Sequence, residues 1–321
     1  LAAFELAIHL GAEWIETDLV STADGVLIIR HENELSVTTD IASRPEFASR
    51  RTSRIIDGEH KRGWFTEDFT LDELRMLGAA EPLPRIRPLS AEHDGIYGIP
   101  TLDEVLTLTE RVNARREVPV GLYLELKHPS HFASRGHELT RPLLAELDRH
   151  DLLGADAPLL IEASEIAVLR DLSSRVATPL TQLVEAAGAP FDPAGSSDSP
   201  AYRDLCTPAG LAEVAAYASF VGASKRRVLP RDARERSSTP TQLVEDAHAA
   251  GLGVHVWTMR DENAYLPKDM RRGLSKKRKG DAAAEYRALF DAGVDGVFTD
   301  FVDTALAART EWAAQTSTRR G

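Results

Sequence analysis

Apolar residues along the chain alternate between short hydrophobic runs and longer amphipathic segments. Runs of about four to eight apolar residues are typical of buried strands, whereas apolar positions that recur every three or four residues are typical of helices. The runs predict strands at 14–18, 120–127, 159–162, 180–184, 220–223, 253–258 and 296–299. Helical patterns lie between them at 102–112, 140–148, 167–172, 208–216, 240–250 and 282–292.

Repeated strand-helix units build a parallel sheet, and this many repeats predict an α/β fold of the TIM (β/α)₈ barrel type. The pattern contains seven candidate strands, one fewer than such a barrel needs. Residues 1–12 have the pattern of an amphipathic helix and precede the first of these strands. We therefore expect the first barrel strand to be missing from this chain. We expect functional residues at the carboxyl ends of the other strands.

The first candidate strand leads into an Asp24-Gly25 pair, which favours a two-residue β-hairpin because both positions tolerate a positive φ. Counting outward from that turn predicts that Asp18 faces His31, with Cβ atoms roughly 4.5–5.5 Å apart. Glu16 shares their side, because alternate residues of a strand point the same way. This face is a candidate metal and phosphate site, although a solvated outer face would produce a similar alternation.

The second candidate strand, at 120–127, is apolar until Glu125 and Lys127 near its carboxyl end. Both side chains point to one side of the strand, and charged residues are rarely buried unless they are paired or bound to a metal. Two interpretations are open, a structural Glu125–Lys127 pair and a pair of site residues at the rim of a barrel.

Length and composition favour a single domain over residues 1–321, since 43% hydrophobic content can form one large core. Residues 40–99 are rich in arginine, glutamate and turn residues, so we interpret them as a cap-like insertion over the rim. The net charge of −12 argues against nucleic acid as a main partner. No apolar run approaches the roughly 20 residues of a transmembrane helix. The single cysteine, Cys206, excludes an intrachain disulfide.

Two further clusters are assigned to the surface. The basic run at 270–280 could bind anionic lipid or nucleic acid, but a solvated loop is favoured because the whole chain is acidic. His128, His131 and His137 follow Glu125 closely, yet their spacing matches no common metal-ligand motif. We therefore predict surface histidines.

Eight motifs in this order resemble those of glycerophosphodiester phosphodiesterases, and the similarity extends from residue 1 to about residue 304. The motifs are I-E-T-D at 15–18, T-A-D-G at 22–25, R-H-E at 30–32, G-W-F-T-E-D-F-T-L-D-E-L at 63–74, I-P-T-L-D-E-V-L at 99–106, L-E-L-K at 124–127, H-V-W-T-M-R-D-E-N at 255–263 and G-V-D-G-V-F-T-D at 293–300. Any one of them is weak evidence, but together they are specific.

The resemblance implies a TIM barrel that hydrolyses small glycerophosphodiesters to sn-glycerol 3-phosphate and an alcohol, in glycerophospholipid and glycerol metabolism. It implies one divalent cation, Ca²⁺ or Mg²⁺, bound by residues that match the family's ligands, namely Glu16, Asp18 and Glu125. Lys127 matches the family lysine that meets the phosphate. His31 matches one histidine of the acid/base pair, and Trp257 matches an apolar wall beside the substrate.

The chain departs from the family at its start, where the His-Arg-Gly element of the first strand is not found. We expect the 321-residue chain to turn over slowly or not at all, because losing one proton-transfer group commonly costs roughly 10²–10⁴ in rate. Two alternatives stay open. One is the same fold acting on a lysophospholipid or a glycerol-phosphate polymer, and the other is a non-catalytic chain that binds phosphodiesters.

Overall fold

The computed structural model describes residues 1–191 and 200–320, and strands alternate with helices as the sequence predicts. The chain divides into two compact units. Unit 1 is built mainly of Glu13–Thr178, and unit 2 mainly of Pro179–Pro190 and the described residues from 200 onward. Helix α1 (Ala2–Leu10) precedes both sheets in the chain, where the sequence predicts a helix.

Among its described residues, unit 1 contains six strands, and the residues of β5 are buried along its whole length. The strands are β1 (Trp14–Ser21), β2 (Leu27–Ile29), β3 (Thr52–Ile56), β4 (Glu59–Gly63), β5 (Gly121–Leu126) and β6 (Leu159–Ala163). Strands β6, β5 and β1 are parallel neighbours in that order, and β2 pairs with β1 in the antiparallel sense. The antiparallel β3–β4 hairpin forms a separate small sheet within the predicted insertion.

The helices of unit 1 follow the amphipathic segments. They are α2 (Leu71–Leu74), α3 (Pro88–Ala91), α4 (Leu102–Asn113), α5 (Pro129–Ser134), α6 (Thr140–Arg149) and α7 (Ile166–Ser173). Three of the predicted helices correspond to α4, α6 and α7, with boundaries within one residue. Short 3₁₀ helices at Ile41–Ser43, Pro45–Arg50 and Thr66–Asp68 complete the insertion.

Unit 2 contains a parallel sheet. Its strands are β7 (Leu180–Val184), β8 (Phe220–Ser224), β9 (Gly253–Met259) and β10 (Gly296–Thr299), paired in chain order. Its helices are α8 (Tyr202–Leu205), α9 (Pro208–Val214), α10 (Lys225–Val228), α11 (Leu243–Ala249), α12 (Ala282–Asp291) and α13 (Val302–Arg320). No helix among the described residues is both long and apolar enough to cross a bilayer.

The β1–β2 register is one residue away from the prediction. Leu19 pairs with Ile29 and Val20 with Ile28. The connection is a three-residue loop closed by a hydrogen bond from the Thr22 N–H to the Val26 carbonyl (3.0 Å), with Gly25 at a φ of +80°. A left-handed third residue is typical of three-residue hairpins. The prediction that Asp18 directly faces His31 is therefore wrong.

Helix α4 begins with a capping box whose two hydrogen bonds satisfy backbone groups at the start of the helix. The Thr101 hydroxyl accepts from the Glu104 N–H (3.2 Å), and the Glu104 carboxylate accepts from the Thr101 N–H (2.9 Å). Thr101 is buried, so water does not readily replace these bonds.

Replacing Thr101 with alanine is expected to lower the free energy of unfolding by about 1 kcal/mol, because the N–H of Glu104 loses its acceptor. Urea unfolding followed by circular dichroism measures the change. Thr101→Ser keeps the hydroxyl and serves as the matched control. An equal loss in both variants would assign the effect to the methyl group and contradict this prediction.

Candidate metal and phosphate site

Three carboxylates converge along the parallel ladder between β1 and β5. Asp18 and Glu125 are direct partners across the parallel ladder, and Glu16 lies two residues earlier on the same side of β1. One carboxylate oxygen from each of the three lies within 4.8 Å of the other two. Glu125 is buried, whereas Glu16 and Asp18 are half-buried. The strand register thus brings together the three residues that the sequence pattern selected as oxygen ligands.

Lys127 forms ion pairs with two carboxylates of this cluster. Its Nζ atom lies 2.8 Å from Glu125 Oε1 and 3.1 Å from Asp18 Oδ1, and the side chain is 14% exposed. Burial by itself would lower the pKa of Lys127, but Glu125 and Asp18 together outweigh burial and raise that pKa above its ordinary value. The ammonium group is therefore held charged beside the carboxylates.

A fourth carboxylate, Glu162 on β6, was not identified from the sequence. It is the ladder partner of Glu125 and is 2% exposed, and its Oε2 atom has no hydrogen-bond partner among the described residues. The available signal was a glutamate at the carboxyl end of an apolar strand, as with Glu125.

The site keeps a surplus of negative charge despite Lys127. Burial first, and then the charges of Glu125, Glu16 and Asp18, raise the pKa of Glu162 well above its ordinary value. Burial likewise raises the pKa of Glu125 to about 7, with a further contribution from Asp18, against the opposing charge of Lys127. Oxygen donors under mutual repulsion in a half-buried site suit a hard divalent cation, so the residues present fit such an ion.

His31 lies just beyond β2, with a side chain that is 70% exposed. Its Nδ1 atom is 3.1 Å from Glu32 Oε1, and this hydrogen bond is the main reason why the pKa of His31 is raised. Burial and the charge of Lys127 act against the shift, and the charge of Asp18 adds to it. His31 therefore lies within electrostatic range of the cluster although it is not the strand partner of Asp18.

The histidines after Lys127 are not the surface residues that the sequence predicts. His131 is buried, and its Nε2 atom lies 2.8 Å from Oε1 of Glu67, whose side chain is fully inaccessible. The Asn33 amide also donates to Glu67, at 3.2 Å. His128 is 17% exposed and places Nδ1 2.5 Å from Asp57 Oδ2. His137 is half-buried.

These histidine contacts attach the insertion to the segment that carries Lys127. Glu67 and Asp57 both belong to the insertion, whereas His128 and His131 lie at the start of α5. Burial alone would raise the pKa of Glu67, but hydrogen bonding by His131 and the charge of Arg54 hold it below its ordinary value. These contacts fix the start of helix α5, which closely follows Lys127.

A second acidic group lies on α4 and α6, and one arginine pairs with both of its carboxylates. Asp103, Glu146 and His150 also bring ligand atoms within 4.8 Å of one another. Here Arg149 Nη1 lies 2.9 Å from Asp103 Oδ1 and Arg149 Nη2 pairs with Glu146, while His150 Nε2 lies 3.0 Å from Asp103 Oδ1. Because the Arg149 guanidinium already contacts both carboxylates, this group ties two helices together.

Trp257 lies on β9 in unit 2, where its side chain is half-buried. The indole N–H donates to the Gly222 carbonyl at 2.8 Å. This bond fixes the orientation of the ring within the sheet, and the predicted contact with substrate stays a prediction.

Comparison with known proteins relates this chain to one enzyme family. A family model described as the glycerophosphoryl diester phosphodiesterase family matches residues 1–304. A glycerophosphodiester phosphodiesterase of Arabidopsis thaliana is 31% identical over 93% of this chain and 78% of its own length. An enzyme of the same name from Haemophilus influenzae is 24% identical over 94% of this chain and 83% of its own length.

Solved structures confirm the predicted fold class. An Oleispira antarctica phosphodiesterase, in complex with the product sn-glycerol-3-phosphate, matches with a TM-score of 0.61 and 18% identity over 96% of this chain and 90% of that one. A glycerophosphodiester phosphodiesterase from Agrobacterium tumefaciens matches with a TM-score of 0.53 and 17% identity over 95% and 91% of the two chains. Since the family model extends over nearly the whole sequence, the chain belongs to the glycerophosphoryl diester phosphodiesterase family.

Proposed function

We propose that this protein hydrolyses small glycerophosphodiesters to sn-glycerol 3-phosphate and an alcohol, within glycerophospholipid and glycerol metabolism. The observation that carries the proposal is the convergence of Glu16, Asp18, Glu125 and Lys127 along and just beyond the ladder of the adjacent strands β1 and β5. The names of the relatives and the product bound to the Oleispira antarctica protein support the same substrate class.

Glu16, Asp18 and Glu125 would hold one divalent cation, Ca²⁺ or Mg²⁺, because these ions prefer carboxylate oxygens and share their shell with water and phosphate. A cation bound there offsets negative charge on the phosphoryl oxygens and orients the substrate. The strands supply the geometry, since Asp18 and Glu125 are held as ladder partners before any ligand arrives. Their preorganisation limits the reorganisation that binding requires.

Lys127 supplies a fixed positive charge next to the ligand carboxylates. Its backbone N–H donates to the Leu19 carbonyl at 3.2 Å, so the residue continues the β1–β5 ladder. The Lys127 side chain is 14% exposed, and its ammonium group would meet a phosphate oxygen from the solvent side. In a partly dehydrated site this charge stabilises the phosphoryl group more strongly than it would in water.

His31 is assigned the proton transfer to the leaving alcohol. In the overall reaction water adds across the P–O bond, so that phosphorus gains a hydroxyl oxygen and the departing oxygen gains a proton. The exposed imidazole of His31 lies near Asp18 and Lys127 and is oriented by Glu32, which also pairs with Lys61 at 3.0 Å. Trp257 is proposed as an apolar wall beside the glycerol or alcohol moiety.

Glu125→Gln is expected to remove the thermal stabilisation that Ca²⁺ or Mg²⁺ confers, because an amide oxygen replaces a charged ligand. Binding to the folded state at a hundredfold excess over Kd stabilises by about 2.7 kcal/mol. Differential scanning fluorimetry with and without millimolar ion measures the difference in Tm, so any change in intrinsic stability cancels.

The matched control for that experiment is Glu146→Gln in the second acidic group. It is expected to keep the full response to the ion. If Glu146→Gln loses the response and Glu125→Gln keeps it, the ion binds between α4 and α6 and the assigned site is wrong.

Lys127→Met is expected to weaken binding of sn-glycerol 3-phosphate by at least tenfold, because a charged hydrogen bond to a phosphate is worth roughly 1.5–3 kcal/mol. Binding of the cation is expected to stay or to tighten, since a competing positive charge is removed. Isothermal titration calorimetry measures both. Lys61→Met, which also removes a lysine paired with a carboxylate, is the control and should leave both affinities within a factor of two to three.

His31→Ala is expected to lower kcat on glycerophosphocholine by roughly 10²–10⁴. The loss should be far smaller on a glycerophosphodiester with a p-nitrophenol leaving group, which departs without a proton. Both rates are measured on this protein, with His137→Ala as the control. An equal loss on the two substrates would mean that His31 does not protonate the leaving group.

A further inference from the structure

The segment at residues 271–279, the basic loop, combines concentrated positive charge with an exposed apolar tip. It contains Arg271, Arg272, Lys276, Lys277, Arg278 and Lys279. Residues 270–280 include no aspartate or glutamate, although the whole chain has a net charge of −12. Leu274 lies in the middle of the loop and is 103% exposed, so its side chain packs against nothing.

The exposure of Leu274 is imposed by the surrounding hydrogen bonds. Asn263, which is 3% exposed, donates through Nδ2 to the carbonyls of Arg272 (3.1 Å) and Ser275 (2.9 Å). Its Oδ1 accepts from the Arg272 N–H at 2.9 Å. These bonds hold the backbone on both sides of Leu274. The leucine side chain therefore cannot turn toward the protein unless they break.

Backbone hydrogen bonds hold the remainder of the loop against the segment after β9. The N–H groups of Asn263 and Ala264 donate to the carbonyls of Arg278 (2.8 Å) and Lys276 (3.0 Å). The Gly280 N–H donates to the Asp261 carbonyl at 2.8 Å. Hydrogen bonds therefore order the loop, and Leu274 and its flanking cations point to solvent.

The positive charges of the loop are only partly neutralised. Arg272 pairs with Asp281 at 3.1 Å, and Lys279 pairs with Asp261 at 2.8 Å. Lys276, Lys277 and Arg278 are exposed, and within the described part of the chain none of the three makes an ion pair. At physiological ionic strength, interactions between charges more than about 8–10 Å apart are largely screened. An anionic surface in contact with the loop therefore interacts mainly with the positive charges of the loop and little with the net negative charge of the chain.

We propose that the basic loop docks this protein onto an anionic phospholipid surface, with Leu274 inserted among the lipids and the flanking cations at the headgroups. Anionic headgroups attract clustered lysine and arginine side chains. Burial of an aliphatic side chain in the acyl region of the bilayer is favourable because it removes apolar surface from water. Nucleic acid fits less well, because the loop has no aromatic residue to stack on bases and the leucine would gain nothing from a phosphate backbone. This inference goes beyond the proposed hydrolysis and is tested by binding alone.

The test is flotation of the protein with vesicles of phosphatidylcholine, with or without 30% phosphatidylglycerol, at low and at physiological salt. Binding is expected on the anionic vesicles and not on pure phosphatidylcholine. Lys276→Gln combined with Lys277→Gln should lower the partition coefficient roughly 25-fold, at about fivefold for each cation. Leu274→Ser should lower it about tenfold, because the apolar contribution is lost.

Two control variants isolate the loop from general surface effects. Leu89→Ser removes a leucine that is 73% exposed elsewhere, and Arg115→Gln with Arg116→Gln removes two exposed cations outside the loop. Both should bind like the unaltered protein. The proposal is overturned if anionic vesicles are not bound, if the controls lose binding as strongly as the loop variants, or if Leu274→Ser has no effect. Tighter binding to a DNA duplex that is insensitive to Leu274→Ser would instead make the loop a nucleic-acid contact.

Discussion

The alignment of acidic residues across three parallel strands is the constraint on which the site depends. Asp18, Glu125 and Glu162 occupy matched positions on β1, β5 and β6, and Lys127 pairs with the first two. Removing carboxylates from water costs several kcal/mol for each ion unless nearby charges compensate. The buried leucines of β5 hold the strand in place, so the carboxylates cannot separate to relieve their repulsion. A site of this kind is prepared for a cation by the fold itself.

The insertion contributes to the site through one buried and one partly buried contact. Glu67 reaches His131, and Asp57 reaches His128, so the residues that follow Lys127 are fixed by a segment that lies far earlier in the chain. Removing one partner of a buried charged contact is strongly destabilising, so the loss of Glu67 or His131 would weaken the attachment of the insertion. The insertion therefore supports the loop after β5, and it buries apolar residues of its own such as Phe65 and Phe69.

Charge is distributed unevenly along this acidic chain. Carboxylates are concentrated at aligned positions of β1, β5 and β6, whereas the basic loop collects cations around Leu274. The first arrangement suits a small cation and a phosphate ester, and the second suits an extended anionic surface. The same physical rule accounts for both, because charged groups of one sign that are held close together by the backbone favour a ligand of the opposite sign.

The sequence by itself determined the order of seven strands and of the six longer helices between them, since hydrophobic periodicity is a local property that each segment carries whatever its neighbours are. It also selected Glu125 and Lys127, because charged residues at the end of an apolar strand require a partner, and Glu16 and Asp18, because alternate residues of a strand share one face. Its ordered motifs pointed to the family. The hairpin register, the alignment of Glu162 and the outward position of Leu274 were decided by the tertiary structure. So were the acidic partners of His131 and His128, which lie 64 and 71 residues away in the chain. The physical reason is that register, burial and long-range pairing arise only when separate segments pack together, and a one-residue shift of one strand changes which side chains face each other.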